Sequence, residues 1–342
     1  MSLRSFAARW WAGDAGAIGA GLDVALLPAE WLFRAGVAAR NRAFDAGVLR
    51  VETAGVPVVS VGNIGVGGAG KTPFAAWLAA RLRSWGHSPG IALRGYGEDE
   101  VLLHRELNPD VPVFAAWRRV DAARAAGAAG CDTVVLDDAF QHRALARDLD
   151  IVLVSVEDWD GAPKLLPRGP WRESPAALRR ADLVVLTRKS ASPERAAEVA
   201  KEVMGVVPGL PVLHCHLRPN RLVPLHPGES RGLETLAGCR VLAVAALASP
   251  RPLLEQLRSA GAEVAADIYP DHHDFSAEEA RVIRERAGGS TIVMTRKDAV
   301  KLRPLLDRVV GAWVLEQSVE IESGLDVLDH ALRRALGEGR GG

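Results

Sequence analysis

At 342 residues the chain has length for two domains of ordinary size or one large one. Hydrophobic residues make up 48% and charged residues 25%, which excludes an intrinsically disordered chain and a polytopic membrane protein. The 42 basic and 42 acidic side chains cancel, so nothing global draws the chain to nucleic acid, and any charge-driven binding is local. Cys131, Cys215 and Cys239 are widely spaced and form no CxxC pair, which fits a reducing compartment rather than a disulfide framework or a zinc knuckle.

In chain order, residues 1–50 come first as a helical segment. Residues 15–33 are largely apolar, with Trp10, Trp11, Trp31 and Phe33 in or beside the run, but Asp23 and Glu30 interrupt it and Pro28 would bend it. The run falls short of a spanning segment, and the early Asp14 argues against a signal peptide. Two readings stand: an interfacial helix, with tryptophans at headgroup level and Arg4, Arg9, Arg34, Arg40 and Arg42 near anionic lipid, or a helix packed on its own domain.

From about residue 56, short β-branched runs alternate with Ala/Arg/Leu-rich stretches, the pattern of an α/β protein with a mostly parallel sheet. Strands are predicted at Val56–Val61, Gly90–Leu93, Thr133–Asp137, Ile151–Val154, Leu183–Leu186 and Pro211–Leu217, with helices over 71–84 and Glu194–Val203. These fill a lobe over 51–217. A Pro/Arg/Gly-rich stretch, 218–232, reads as a linker. A second, smaller α/β lobe over 233–336 restarts the alternation: strand Arg240–Ala245, helix Pro252–Ala260, strand Glu263–Ala266, helix Ala277–Ala287 and strand Thr291–Thr295. The tail, Gly337–Gly342, is expected to fray.

Between the first strand and the first helix lies Gly65-Val66-Gly67-Gly68-Ala69-Gly70-Lys71-Thr72, a full GxxxxGK[ST] phosphate loop. Glycines let backbone N–H groups and the helix N-terminus wrap phosphate oxygens, Lys71 bridges the β and γ phosphates, and Thr72 offers its hydroxyl to Mg²⁺. Such a loop needs a carboxylate at the end of a neighbouring strand. Thr133–Asp138 supplies Asp137 and Asp138, although an aspartate capping a helix is the plainer alternative. An enzyme or switch using a nucleoside triphosphate follows, with no acceptor named.

Further strings stand in order: Val61-Gly62-Asn63, Arg94-Gly95-Tyr96-Gly97, Asp99-Glu100, Asp137-Asp138-Ala139-Phe140-Gln141-His142, the run LPRGPWRE over 166–173, Asp271-His272-His273, and the run TRKDAVK over 295–301. Together they make the chain, over about 27–302, resemble the tetraacyldisaccharide 4'-kinases, which phosphorylate the 4'-hydroxyl of the lipid A precursor. The resemblance implies a P-loop kinase using ATP and Mg²⁺. Its acceptor is an acylated glucosamine disaccharide 1-phosphate, and it sits on the cytoplasmic face of the bacterial inner membrane as a monomer with no nucleic-acid partner. It shifts the first segment toward the interfacial reading, since extracting several acyl chains would expose apolar area at about 0.8 kcal/mol per CH₂.

The resemblance also assigns roles. Asp99, following a glycine turn in an exposed context, matches the catalytic aspartate that receives the hydroxyl proton, and His272 matches the histidine that pairs with it. Glu100 assists the metal beside Asp137 and Asp138. Gln141 and His142 reach phosphate or nucleotide, Arg94, Arg119 and Arg172 contact acceptor or ATP phosphates, and Tyr96 and Glu173 hold the nucleoside. For Lys297 and Asp298 a capping or a site role is open. The chain departs from the family pattern at Ala139, Ala246 and Arg296, and in the short segment between Gly97 and Asp99. His214-Cys215-His216 resembles a metal site only superficially, because no further ligand pair is nearby. Competing readings are a P-loop kinase for another membrane or sugar acceptor, and a membrane-associated ATPase switch.

Overall fold

A computed structural model describes residues 3–11, 13–95, 98–161, 163–307 and 311–338. Tyr96 and the last four residues of the glycine-rich tail lie outside the described residues. The chain divides into two compact units. One comprises 13–216 with 319–342, and the other 1–12 with 217–318.

Three helices come first: α1 (Leu3–Trp11), α2 (Gly16–Ala25) and α3 (Leu27–Asp45). Next follow β1 (Val58–Asn63), α4 (Lys71–Ser84), β2 (Pro89–Arg94), α5 (Glu98–Leu107), β3 (Val113–Ala116), α6 (Arg119–Ala128), β4 (Thr133–Asp137), β5 (Leu149–Ser155), β6 (Leu183–Arg188) and α7 (Pro193–Val206). The remaining elements are β7 (Val212–Pro224), β8 (Arg231–Gly232), β9 (Arg240–Ala245), α8 (Arg251–Ser259), β10 (Glu263–Ile268), α9 (Ala277–Ala287), β11 (Thr291–Thr295), α10 (Arg296–Leu302), β12 (Ala312–Ser323) and α11 (Leu325–Ala335).

In the larger unit the strand order is β7-β6-β5-β1-β4-β2-β3, with every pair parallel. Strands β1, β4 and β5 are buried almost throughout, as expected of parallel strands covered on both faces. The chain runs from β1 toward β2 on one side and later returns to lay β5 on the other. That makes the carboxyl end of β1 a topological switch point, where open α/β sheets bind ligands. The phosphate loop leaves the sheet there. Gly62 has no substitute in this strand, because a Cβ on it would stand 2.5 Å from Phe140 Cβ.

The smaller unit is built on β10-β9-β11-β12, again parallel. Its helix α9 opens with a full capping box between Ser276 and Glu279. Residues 218–224, expected in a linker, instead continue β7. The buried positions Leu213, Cys215 and Leu217 are followed by buried Leu222 and Leu225, so burial keeps the chain extended, and proline's fixed φ tolerates that backbone at Pro219 and Pro224. The second lobe was expected to run to residue 336. Residues from Val319 onward, α11 included, belong instead to the larger unit, where Arg81 Nε donates to Asp329 Oδ1 at 2.7 Å.

Among the described residues no single helix is long and apolar enough to cross a membrane, although α2 and α3 pass that test as a pair bent by 52°. One face of α3 docks on the larger unit. Glu30 is buried and accepts from Leu165 N at 2.9 Å and from Arg168 Nε, while Arg34 pairs with it at 3.2 Å. Further along, Asn41 Nδ2 donates to Glu173 Oε2 at 2.9 Å, and Phe33 packs against the core beneath. The other face leaves Trp31 66% and Leu32 76% exposed, alongside Ile18 and Val24 of α2.

Burial alone would raise the Glu30 pKa, but the hydrogen bonds from Leu165 N, Arg168 and Arg34 outweigh it and hold the carboxyl below its ordinary value. A depressed carboxyl stabilises the fold above the unfolded-state pKa, and the effect fades as pH falls through the folded value. Glu30→Ala should therefore cost about 2 kcal/mol in urea unfolding at pH 7. The gap to the wild type should close below the ordinary glutamate range. Superimposable unfolding curves at pH 7 would show that this carboxylate does not hold α3.

Candidate active site

The site grows from the ends of β1 and β4. The loop after β1 is pinned from several sides: Val66 N donates to Pro170 O at 2.6 Å, Thr187 Oγ1 to Ala69 O at 2.9 Å, and Lys189 Nζ to Gly68 O. Gly70 then takes a left-handed conformation, φ 81°, and α4 starts at Lys71. That conformation is open to glycine without penalty, and it turns the chain so that the first amides of α4 face the loop.

At the end of β4 the two aspartates do different work. Asp137 Oδ2 accepts from Thr72 Oγ1 at 2.9 Å and lies 2.9 Å from His104 Nε2, a fully buried histidine of α5. Asp137 Oδ1 is also buried and, among the described residues, meets no hydrogen-bond donor. Asp138 sits at φ 51° and turns its carboxylate to Lys71 Nζ at 3.5 Å and to Arg172 Nη1 at 3.0 Å. Burial would raise its pKa, but Lys71, Arg172 and Arg119 overcome that and keep the carboxyl far below the usual carboxylate range.

The arginines expected to meet phosphate cluster here. Arg119 is buried, and its Nη2 donates to the Asp138 carbonyl at 2.7 Å. Arg172 also reaches Gln141 Oε1 at 3.4 Å, and Gln141 Nε2 donates to Asn63 O at 2.7 Å. Arg94 and His142 line a cavity with Arg119. His142 is pushed down to about 4, first by burial and then by Arg119, Arg147, Arg94 and Arg118.

Several expectations change. Asp99 lies within the first turn of helix α5, half-buried, rather than in an exposed glycine turn, and Glu100 follows it one helical turn before His104. Glu173, expected at the nucleoside, is buried with its carboxylate taken by Asn41 and by Arg180 Nη2 at 3.0 Å. His272 belongs to the smaller unit, at φ 59°, with its Nε2 3.3 Å from Lys297 Nζ. Asp298 is structural: it accepts from Thr295 Oγ1 at 2.6 Å and Ala246 N at 3.1 Å at the start of α10. The charge that Arg296 brings is matched by Glu316. Cys215 is buried, which pushes its thiol up to about 12.

Sequence reasoning missed His104, Thr187 and Lys189. A histidine inside the apolar run VLLHREL was the only signal for the first. The other two stand at the end of a strand, where loops carry function.

A strand, a GxxxxGKT loop, a helix and a neighbouring strand ending in a threonine-bonded aspartate define a P-loop phosphate-binding protein. The comparisons narrow the class. A family model described as tetraacyldisaccharide-1-P 4'-kinase matches residues 22–101 and 97–336. A tetraacyldisaccharide 4'-kinase of Anaeromyxobacter dehalogenans strain 2CP-C is 42% identical, with 94% of this chain and 93% of the relative aligned. One from Xanthomonas campestris pv. campestris strain 8004 is 35% identical over 89% of this chain and 91% of its own. The crystal structure of "apo" form LpxK from Aquifex aeolicus in complex with ATP is 27% identical, with a TM-score of 0.70 over 92% of this chain and 99% of that one. The chain belongs to the tetraacyldisaccharide-1-phosphate 4'-kinase family.

The electrostatics give a direct check. His142 should titrate near pH 4 by histidine-selective NMR, and so stay neutral at pH 7. Its native pKa lies below the unfolded value, so any stability it contributes falls as pH drops from about 6.5 toward 4. A midpoint near 6.5 would contradict the arginine field described above.

Proposed function

We propose that this protein transfers the γ-phosphate of ATP to the 4'-hydroxyl of a tetraacyldisaccharide 1-phosphate, a lipid A precursor. The observation that carries the reading is a complete phosphate loop, with its strand-end aspartates, in a chain matched along most of its length by kinases of that name. The glycine-rich backbone and the start of α4 receive the nucleotide phosphates. Lys71, held by Asp138 in this state, turns to them when they arrive, and Arg172 stands beside it to meet the charge on the transferring group.

Among the described residues no cluster of three or more His, Cys, Asp or Glu forms a metal site by itself. A P-loop magnesium takes most of its ligands from phosphates and water, so one hydroxyl and one carboxylate suffice. Thr72 and Asp137, whose Oδ1 awaits a partner, fit that donor set. These two residues would hold magnesium, which would supply neutralisation of charge on the phosphates. His104 fixes Asp137 in orientation from its buried side. Asp99, in the α5 turn preceding Glu100, is the residue we assign to receive the hydroxyl proton.

The protein works on the cytoplasmic face of the inner membrane in this reading. What supports it is the apolar exposure of Ile18, Val24, Trp31 and Leu32 on helices whose opposite face is docked. Such side chains gain from burial in the acyl boundary, and the catalytic unit is thereby brought to a substrate that stays in the bilayer.

Labelled ATP and detergent-dispersed tetraacyldisaccharide 1-phosphate should yield a labelled bisphosphate, with little hydrolysis when the lipid is absent. Acceptor-independent hydrolysis without product would favour the ATPase-switch alternative instead. Lys71→Ala and Asp99→Asn should each lower kcat by about a hundredfold or more, and wild-type turnover in either removes that residue from its role. A Trp31→Ser, Leu32→Ser double variant should float less with anionic vesicles while keeping its melting temperature. Undiminished flotation would place the membrane contact elsewhere.

A further inference from the structure

The run TRKDAVK and the turn carrying Asp271, His272 and His273 are distant in sequence, yet in the smaller unit they form two halves of one clamp. Asp298 fixes α10 in place, through Thr295 Oγ1 at 2.6 Å and Ala246 N at 3.1 Å. Lys297 and Lys301 then stand one helical turn apart on the same face of α10. Both reach the turn over 271–274. Lys297 Nζ donates to Asp271 Oδ1 at 2.7 Å and lies 3.3 Å from His272 Nε2. Lys301 Nζ donates to the His273 carbonyl at 3.0 Å and to Asp274 Oδ1 at 3.3 Å.

The two histidines of the turn are used differently. The His273 ring serves the fold: it stacks on Tyr269, with centroids 5.0 Å apart, and its Nε2 lies 2.9 Å from Glu279 of α9. The His272 side chain is 44% exposed and rides on a backbone at φ 59°. Among the described residues the only other non-glycine residue with positive φ is Asp138, in the phosphate site. A side chain persists on such backbone only where its surroundings hold it, and residues of this kind gather at functional sites. Here Asp271 Oδ1 accepts from His272 N at 3.0 Å, and the two lysines close the turn on either side.

Lys297 also settles how the His272 ring carries its proton. An ammonium group only donates, so a ring nitrogen facing it must offer a lone pair. Asp271 Oδ2, 3.8 Å from His272 Nε2, is too far away to accept a hydrogen bond from that nitrogen. The lone pair therefore lies on Nε2 and the proton on Nδ1, because the partner at one ring nitrogen dictates the state of the other. We propose that Lys297 is a positioning residue for phosphoryl transfer: it locks His272 in the Nδ1–H tautomer and in one orientation, so that the histidine acts as a hydrogen-bond donor through Nδ1. This rests on the kinase reading above and on the place in the reaction that the resemblance gives His272; Lys297 acts through that ring.

NMR of the full chain with isotopically labelled histidine reads the tautomer directly, with His272→Gln identifying the signal. In mildly alkaline buffer the wild type should show Nε2 unprotonated and Nδ1 protonated, and Lys297→Met should move the ring toward the Nε2–H form. In the lipid kinase assay Lys297→Met should lower kcat by roughly thirtyfold, with KM for ATP and for the lipid changed less than about threefold. Lys297→Arg, which keeps a donor for both partners, should recover most of that loss. A proton on Nε2 in the wild type overturns the proposal without any variant, so the test stands even should Lys297→Met fold poorly. An unchanged tautomer or an unchanged kcat in Lys297→Met overturns it as well, as does a loss confined to KM. Absence of phosphorylated lipid with the wild type overturns the kinase reading instead, and the two failures are told apart because the tautomer is read without turnover.

Discussion

The pairing of Asp138 with Lys71 and Arg172 is the constraint on which the site depends. Three cationic side chains, Lys71, Arg119 and Arg172, converge around one half-buried turn, and without a carboxylate among them they would repel one another. The strand end supplies that carboxylate at a left-handed residue, so backbone geometry and charge are solved together. Asp137, one residue earlier, faces the opposite way and is reserved for the threonine hydroxyl and the buried histidine of α5. Consecutive residues on an extended strand point to opposite sides, and the left-handed turn after Asp137 redirects the second.

The phosphate loop owes its shape to more than its glycines. Strand β6 braces it through Thr187 and Lys189, and the segment 164–173 braces it through Pro170 and the backbone pairing of Arg172 and Glu173 with Ile64. That segment is itself held by α3, through Glu30 at one end and Asn41 at the other. A chain of direct contacts therefore runs from the N-terminal helices to the nucleotide cradle. Lys189 carries a cost in this frame, since burial drives its pKa down, and Asp158 and Glu157 nearby favour its charge.

Much of this was legible in the residues. The loop's spacing, the β-branched strand ending in two aspartates and the alternation of elements are local patterns, and local patterns survive folding. What was not legible depends on distance in sequence. His104 meets Asp137 because α5 packs over the end of β4, and Thr187 meets Ala69 across 118 positions; neither contact leaves a periodic trace. Glu173 misled for a related reason, because a polar residue in a motif reads as a ligand until the asparagine and arginine that occupy it are seen. The proline-rich run after residue 217 misled because composition signals a turn, whereas the buried leucines within it decide for extended backbone.

The anchoring of α3 changes what the N-terminal region is. Glu173 leans on Asn41, and Arg168 and the Leu165 amide lean on Glu30, so these helices are part of the frame that shapes the cradle. A version shortened by these helices would lose part of that frame. It would leave a buried arginine–glutamate network short of partners one residue from Arg172, and its defect would appear in turnover on a fully dispersed substrate.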